Sequence, residues 1–171
     1  KPVFEQKSVE FPKGWSLNAI NIVAQKYFAG TPGTEERESS LKDTIDRIVD
    51  TITKEGLEQG YFSGKKESEA FRQELKYILA TQRAAFNSPV WFNIGVPSRA
   101  QQASACFILG VEDTMKAILN WYVEEGMVFK GGSGAGVNLS KIRSSQESLS
   151  ASGGKASGPV SFMRGADASA G

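Results

Sequence analysis

The sequence has no histidine and a single cysteine, Cys106, among its 171 residues. Without histidine, the chain alone cannot carry out serine–histidine or cysteine–histidine catalysis. One cysteine supplies too few soft ligands for a zinc site of the usual cysteine and histidine type, and it cannot form an internal disulfide. Any chemistry of this chain therefore depends on the thiol, on carboxylates, on backbone amides or on a bound cofactor.

The sequence also lacks a surplus of one charge and a long apolar run. Its 20 basic and 19 acidic side chains leave a net charge of +1, and no lysine and arginine cluster indicates nucleic-acid binding. No apolar run approaches the roughly 20 residues of a membrane span, and no secretion leader is recognisable. With 40% hydrophobic residues the chain can form a core, and its low cysteine content favours the reducing cytoplasm.

Apolar residues at helical spacing predict four helices. Ser16 is expected to cap the first, the second is expected at 41–55, and the third carries apolar residues from Phe71 to Leu79. Asp113 is expected to cap the fourth, which spans 113–129. Three glycines are expected to break the chain between the second and third helices: Gly56, Gly60 and Gly64.

The remaining segments are predicted to be extended or irregular. The polar stretch 31–40 is a connection, and Ser88-Pro89 indicates an extended or turn segment because a residue before proline avoids the α region. The apolar run from Ala105 to Val111 predicts a short buried strand. Residues 131–171 hold 9 of the 18 glycines and are therefore predicted to be loop.

Cys106 has two interpretations on the residues alone. A lone cysteine in a strand is commonly a small core hydrophobe. The alternative is a redox thiol whose partner cysteine lies outside this chain.

The segment GGSGAG, residues 131–136, also has two interpretations. Glycines let backbone amides approach an anion, so the segment is a candidate phosphate cradle. It is not a Walker loop, and it follows a helix where the dinucleotide pattern requires a strand. A flexible turn is an equally good interpretation.

Asp113 and Arg143 form the third candidate. Asp113 has a structural role as a helix cap, and Arg143 can be an ordinary surface cation. The functional hypothesis gives Asp113 a ribose hydroxyl and Arg143 a phosphate, which suits the planar guanidinium.

Several longer motifs occur in a fixed order: WSLNAINIVAQKYFAG, ELKYILATQRAAFNSPVWFN, QASACFILGVEDT, GGSGAGVNLSKIRSS and SGPVSFMRGAD. On these motifs nearly the whole chain resembles the adenosylcobalamin-dependent, class II ribonucleotide reductases. The resemblance implies an enzyme that reduces ribonucleotides to deoxyribonucleotides for DNA synthesis. Ribonucleoside diphosphates are the expected substrates, and triphosphates remain open.

The resemblance implies roles for individual residues. In the family, cobalt–carbon cleavage in the cofactor generates a thiyl radical on a finger-loop cysteine, and a pair of cysteines delivers the reducing electrons. Cys106 matches the first member of that pair. The positions that match substrate contacts are Ser88, Ala105, Cys106, Gly132 and Gly134, and those that match an allosteric dNTP effector site are Asp113 and Arg143.

The resemblance also predicts how the chain is organised. The fold is expected to be α/β, with a mainly helical region at 1–85 and the first strands of a ten-stranded α/β barrel at 86–171. The helix at 113–129 is expected at a homodimer interface, and the loop 144–157 is expected to link effector to substrate.

The chain departs from the family pattern in its cysteines. It has no second redox cysteine, no radical cysteine, no finger-loop motif and none of the C-terminal cysteines that receive electrons from a thioredoxin-type reductant. We therefore expect an N-terminal part of the catalytic polypeptide, active only with the remaining C-terminal portion. Most contacts with adenosylcobalamin are expected outside this chain, and no metal ligand, membrane or nucleic acid is expected. The alternatives are a standalone nucleotide-binding module and a dimerisation module without catalysis.

Overall fold

The computed structural model describes residues 4–149 and 153–170, and the chain divides into two compact units, Lys1–Ala103 and Ser104–Gly171. Each unit is described by itself. The boundary between a helical region and the barrel, which the resemblance implies at 85/86, stays a prediction. The elements are α1 (Leu17–Lys26), α2 (Leu41–Glu58), α3 (Lys65–Ala80), α4 (Ser88–Asn93), β1 (Cys106–Gly110), α5 (Met115–Lys130), β2 (Gly134–Asn138) and α6 (Gly158–Ala170).

Side-chain caps fix the start of the first two helices. The Ser16 hydroxyl accepts a hydrogen bond from the Ala19 amide at 3.2 Å, as the sequence predicted. At α2 the Asp43 amide donates to the Ser40 hydroxyl at 3.0 Å, and the Ser40 amide donates back to the Asp43 carboxylate at 3.1 Å. This reciprocal pair satisfies two backbone donors that a helix end otherwise leaves unpaired.

Two predictions for the first unit were wrong. Gly56 lies inside α2 and is buried. A Cβ at this position would come within 2.6 Å of the Phe62 ring, so glycine lets the ring pack directly against the helix. The Ser88-Pro89 segment begins a helix rather than an extended segment, with Asn87 as its cap. Proline fits the first turn of a helix because the N–H that it lacks would have no helical partner there.

The core of the first unit lies between α2, α3 and α4. Ile48 and Val49 are 0% exposed, and a fully buried side chain of this kind contributes about 1.5–3 kcal/mol. Beside this core, the Arg47 guanidinium donates to the Glu38 carboxylate at 2.6 Å and to the carbonyls of Trp91 and Ile94. The side chains of Arg47 and Glu38 are only 12% and 10% exposed, so this ion pair is almost completely desolvated.

The second unit is built on a parallel pair of strands. β1 and β2 align from Cys106 opposite Gly134 to Gly110 opposite Asn138, and α5 forms the crossover between them. The prediction that 131–171 is loop was wrong, since β2 and α6 both lie there. The core of this unit consists of Val111, Ile118, Trp121, Ile142 and Ala166.

In addition to the core contacts, a tyrosine hydrogen bond links α5 to α6. The Tyr122 hydroxyl donates to the Phe162 carbonyl at 2.8 Å, and burial, aided by the nearby Glu125 charge, raises the pKa of Tyr122. Gly165 permits this approach, because a Cβ there would lie 2.5 Å from the tyrosine oxygen. Within residues 4–149 and 153–170, no helix is both long and apolar enough to cross a bilayer.

Candidate functional site

The thiol of Cys106 lies at the start of β1 and is exposed. Exposure alternates along β1, so Cys106 and Ile108 point to the open face while Phe107 and Leu109 are half-buried. The prediction of a buried strand was therefore wrong: β1 has one half-buried and one exposed face, and Cys106 is not a core hydrophobe in this structure. An exposed free thiol is available to a reaction partner, as redox chemistry requires.

The glycine-rich segment forms a turn and then a strand. Gly131 ends α5, Gly132 has a positive φ of 81°, and β2 begins at Gly134. The Gly134 amide donates to the Ala105 carbonyl at 2.7 Å, which places the turn directly beside the backbone that precedes Cys106. Neither interpretation from the sequence anticipated this pairing.

The chain's own packing does not explain two of these glycines. A Cβ at Gly134 would meet only the Ala105 carbonyl oxygen at 3.8 Å, and one at Gly136 only the Phe107 carbonyl oxygen at 3.9 Å. Both are ordinary contacts, and glycine weakens a strand interior. The bare backbone at these positions therefore leaves open the surface next to Cys106 and Ile108, where another group can approach closely.

The candidate substrate residues are divided between the two units. Ala105, Cys106, Gly132 and Gly134 lie together in the second unit, at the amino ends of β1 and β2. Ser88 lies in the first unit at the start of α4, where its hydroxyl is 3.0 Å from the Tyr27 hydroxyl.

Asp113 and Arg143 meet beyond the carboxyl ends of the two strands. The Arg143 Nε donates to Asp113 Oδ2 at 2.6 Å, with the side chains 41% and 28% exposed. The carboxyl ends of parallel strands are the common location of ligand sites in α/β sheets. The structure thus brings together the two residues that the sequence proposed as an effector pair.

The expected capping role of Asp113 was wrong. Thr114 is the cap of α5, and its hydroxyl accepts a hydrogen bond from the Ala117 amide at 3.2 Å. The capping role therefore does not account for the Asp113 carboxylate, which instead pairs with Arg143.

The ion pair lines a cavity of about 280 Å³ that lies wholly in the second unit. Its walls combine apolar side chains with backbone from the start of α6. The other lining residues are Thr114, Met115, Ile118, Ile142, Leu149, Ala156, Ser157, Gly158 and Phe162.

The loop expected to link effector and substrate has backbone hydrogen bonds of its own. The Leu149 amide donates to the Gly154 carbonyl at 2.7 Å, and the Ala156 amide donates to the Glu147 carbonyl at 2.9 Å. Residues 150–152 of this loop lie outside the described residues. At its base, Gly158 has a positive φ of 74°, and a Cβ there would lie 2.9 Å from the Ser145 Cβ.

Sequence reasoning missed three residues around the site. Two of them are Lys141 and Glu112, which form an ion pair next to that of Asp113 and Arg143. The two acidic residues at 112–113 and the two basic residues at 141 and 143 were a sequence pattern that could have indicated these pairs. Ser133 is 6% exposed and donates from its hydroxyl to the Ser104 carbonyl at 2.6 Å. No sequence signal identifies that contact, because it depends on the strand pairing.

Comparisons with known proteins match both parts of the chain. A family profile described as class II vitamin B12-dependent ribonucleotide reductase matches residues 1–82, and one described as ribonucleotide reductase, barrel domain, matches residues 104–171.

Individual relatives match across almost the whole chain. The vitamin B12-dependent ribonucleotide reductases of Streptomyces coelicolor and Streptomyces clavuligerus are each 64% identical over 168 residues, which cover 98% of this chain and 17% of the relative. That of Rhodopirellula baltica is 42% identical over 197 aligned positions, covering 99% of this chain and 19% of the relative. The chain thus spans about a sixth of the Streptomyces proteins, and it belongs to the class II, vitamin B12-dependent ribonucleotide reductase family.

Proposed function

We propose that this chain is the N-terminal part of the catalytic polypeptide of an adenosylcobalamin-dependent ribonucleotide reductase. It acts with the remaining C-terminal portion to convert ribonucleotides, expected to be diphosphates, to deoxyribonucleotides. The observation that carries the proposal is the exposed Cys106 thiol beside the bare backbone of Gly134, on the open face of a parallel strand pair.

The proposed role of Cys106 is to supply one of two reducing thiols. In each turnover two thiols become one disulfide, giving up two electrons and two protons, and the ribose 2′-hydroxyl leaves as water. The second thiol belongs to the remaining polypeptide, because Cys106 is the single cysteine of this chain. A thioredoxin-type reductant then reduces the disulfide in the cytoplasm.

Three of the proposed substrate contacts lie beside this thiol. Ala105, Gly132 and Gly134 present backbone next to Cys106, where an anionic or planar group can approach without meeting a side chain. Ser88 is proposed to contribute its hydroxyl. In the complete protein, β1 and β2 are proposed to be the first strands of the ten-stranded barrel in region 86–171, following the helical region 1–85.

We propose that most residues that contact the cobalamin cofactor belong to the remaining polypeptide. The chain has no histidine, and the described residues contain no group of three or more cysteine, aspartate and glutamate side chains that could hold a metal ion. When bound by the complete enzyme, adenosylcobalamin supplies the radical that starts the reaction. No step of that event is assigned to this chain.

The cavity beyond the strand ends is proposed to bind the dNTP effector. Asp113 can accept hydrogen bonds from ribose hydroxyls, and Arg143 can donate to phosphate oxygens. The start of α6 lines the same cavity, so its amide donors and positive end add to the attraction for an anion. Effector binding would exchange part of the Asp113–Arg143 pair for contacts with the ligand.

The outer face of α5 is proposed to bind a second copy of the chain. Met115, Leu119, Val123 and Met127 follow one another at four-residue spacing and are 55–63% exposed. Two copies of α5 packed antiparallel, with the two-fold axis midway between Leu119 and Val123, would set Met115 against Met127 and Leu119 against Val123. Such a self-complementary stripe suits the isologous interface of a homodimer.

A standalone nucleotide-binding module is the second candidate, because the whole cavity lies within this chain. Calorimetry with dNTPs on the 171-residue chain tests it directly. The module is favoured if the chain binds dNTPs tightly and shows no reductase activity when the remaining polypeptide is added. Dimerisation without nucleotide binding favours a purely assembling role.

The experiment that tests the proposed function replaces Cys106 by serine in the full-length reductase. Serine cannot form the disulfide, so we expect multiple-turnover deoxynucleotide formation to be lost, and mass spectrometry of the wild-type enzyme to find Cys106 linked to a cysteine outside this chain. The 171-residue chain alone, given adenosylcobalamin and a dithiol, should produce no deoxynucleotide. Normal turnover by the Cys106→Ser enzyme contradicts the proposal.

A further inference from the structure

One buried serine connects the end of α5 to the backbone that precedes Cys106. The Ser133 amide donates to the Val128 carbonyl in the last turn of α5 at 3.2 Å. Its hydroxyl donates to the Ser104 carbonyl at 2.6 Å, and the residue is only 6% exposed. A buried hydrogen bond of this length joins the helix to the strand with little freedom.

Two consecutive carbonyls before the thiol are held in this way. The Ser104 carbonyl receives the Ser133 hydroxyl, and the Ala105 carbonyl receives the Gly134 amide at 2.7 Å. The second bond comes from the backbone and survives any side-chain change. The first depends entirely on the hydroxyl of residue 133.

The thiol itself has no enclosing wall in the described part of the chain. Cys106 lies on the open face with its side chain exposed, so packing around the sulfur does not fix its position. Its placement depends on the backbone at the start of β1, which the Ser104 and Ala105 contacts determine. A small displacement matters, because misplacement of a reacting group by about 1 Å can cost roughly 100-fold in rate.

We propose that Ser133 is a positioning residue for Cys106, acting through the Ser104 carbonyl to set where the thiol meets its reaction partners. The inference rests on the proposed redox role of Cys106. It adds a buried residue whose hydroxyl donates to the Ser104 carbonyl and whose function is to fix the strand that carries the thiol.

The test uses the full-length reductase and a matched buried serine in the first unit. Ser68 is 5% exposed and its hydroxyl also donates to a backbone carbonyl, that of Lys65, at 3.0 Å. Ser133→Ala and Ser68→Ala therefore each remove one hydroxyl-to-carbonyl contact of a buried serine, which is local to a helix turn for Ser68 and joins distant residues for Ser133. We expect both variants to lose some thermal stability, but a fall in kcat of roughly 10- to 100-fold for Ser133→Ala alone, with KM for the ribonucleotide nearly unchanged.

A second pair of variants separates the effect of the hydroxyl from the effect of side-chain volume. Ser133→Thr and Ser133→Val have the same shape, and only threonine keeps the donor. We expect the threonine enzyme to be at least about tenfold faster than the valine enzyme. Equal kcat values for this pair, or for Ser133→Ala and Ser68→Ala, overturn the inference.

The Cys106→Ser enzyme keeps this test distinct from that of the proposed function. If Cys106→Ser still supports multiple turnover, the redox role itself fails. If Cys106→Ser is inactive while Ser133→Ala behaves like Ser68→Ala, the redox role stands and only the positioning role of Ser133 is refuted.

Discussion

The two units of this protein differ in where their exposed apolar side chains lie. The first unit surrounds its core with helices, and side chains such as Ile48 and Val49 are fully buried. The second has a core on one side of its strand pair, but Ile108 on the other side is 88% exposed. The first unit also exposes some apolar side chains, such as Leu17 at 73%, but most of those of the second unit follow one face of α5 and the open face of β1. A continuous apolar face of this kind is unusual for a chain working alone.

The polar groups show the same contrast. One ion pair of the first unit, Arg47 with Glu38, is buried and bonded to backbone carbonyls around it. Two ion pairs of the second unit, Glu112 with Lys141 and Asp113 with Arg143, are partly or largely exposed and adjoin or line a cavity. The buried pair serves the structure of the first unit, whereas these two pairs of the second unit are accessible to a ligand.

The largest predicted effect comes from breaking the buried ion pair. Arg47→Met would leave the Glu38 carboxylate buried without its cation, at a cost of about 3–5 kcal/mol in the free energy of unfolding. Chemical denaturation measures this cost. The control is Lys42→Met, which removes the exposed pair with Asp46 and should cost about 1 kcal/mol or less. Equal costs for the two variants would contradict the structural role of the buried pair.

A pair of alanine substitutions compares the two apolar surfaces directly. Ile48→Ala empties a fully buried position and should cost about 2–5 kcal/mol, whereas Leu119→Ala removes a half-exposed side chain and should change stability by about 0.5 kcal/mol or less. Both are measured at concentrations where the chain is monomeric. At higher concentration Leu119→Ala should weaken dimerisation, which analytical ultracentrifugation detects. An unchanged monomer–dimer equilibrium would remove the α5 stripe as the interface.

The cavity that is proposed to bind the effector provides the next prediction. Asp113→Ala and Arg143→Ala should each weaken dNTP effector binding by about 1–3 kcal/mol, the scale of a hydrogen bond to a charged group. Basal reduction should survive better than effector-dependent substrate choice. Glu112→Ala is the control, because Glu112 forms a neighbouring ion pair but does not line the cavity. Calorimetric affinities equal to wild type in both variants would reject the assignment.

The smallest predicted effect concerns an acidic side chain of the first unit. Hydrogen bonds from Arg72 hold the pKa of Asp50 below its ordinary value of 3.8. A carboxyl group with a lowered folded pKa stabilises the fold above its unfolded pKa, and this contribution is lost as the pH falls through the folded value. The stability difference between wild type and Asp50→Asn should therefore be constant above pH 5 or so and shrink below about 3.8. A difference that grows on acidification would contradict this sign.

The sequence predicted the elements whose signals are local. The apolar spacing in α1, α2, α3 and α5 and the Ser16 cap were sufficient, because each helix has an apolar face of its own. The residue types at 113 and 143 suggested a ribose contact and a phosphate contact, but not the ion pair between them, because the second strand was not predicted. The family resemblance supplied the proposed roles of the site residues, and those roles stay predictions.

The elements that the sequence did not predict depend on contacts between distant residues. β2 is GAGVN, a poor strand former that becomes a strand only because β1 lies beside it. α6 begins at a glycine, has a second glycine in its interior and an alanine-rich end, and its position depends on Tyr122 contacting the carbonyl of Phe162. The cap of α5 was assigned one residue too early because aspartate and threonine, adjacent at 113 and 114, are both good caps.

The parallel strand pair has a consequence for synthesis on the ribosome. The first unit emerges first, and its helices can close their core while the rest of the chain is being made. At roughly 5–20 residues per second the 68 residues of the second unit take about 3–14 s to translate. A pair of strands rarely holds without further strands or a helix against it, so β1 and β2 are held firmly only once α5 and α6 have been made. Until then the outer edges of the two strands are templates for wrong pairing. A chaperone that shields this sheet would therefore raise the yield of folded protein more than one that assists the helical unit.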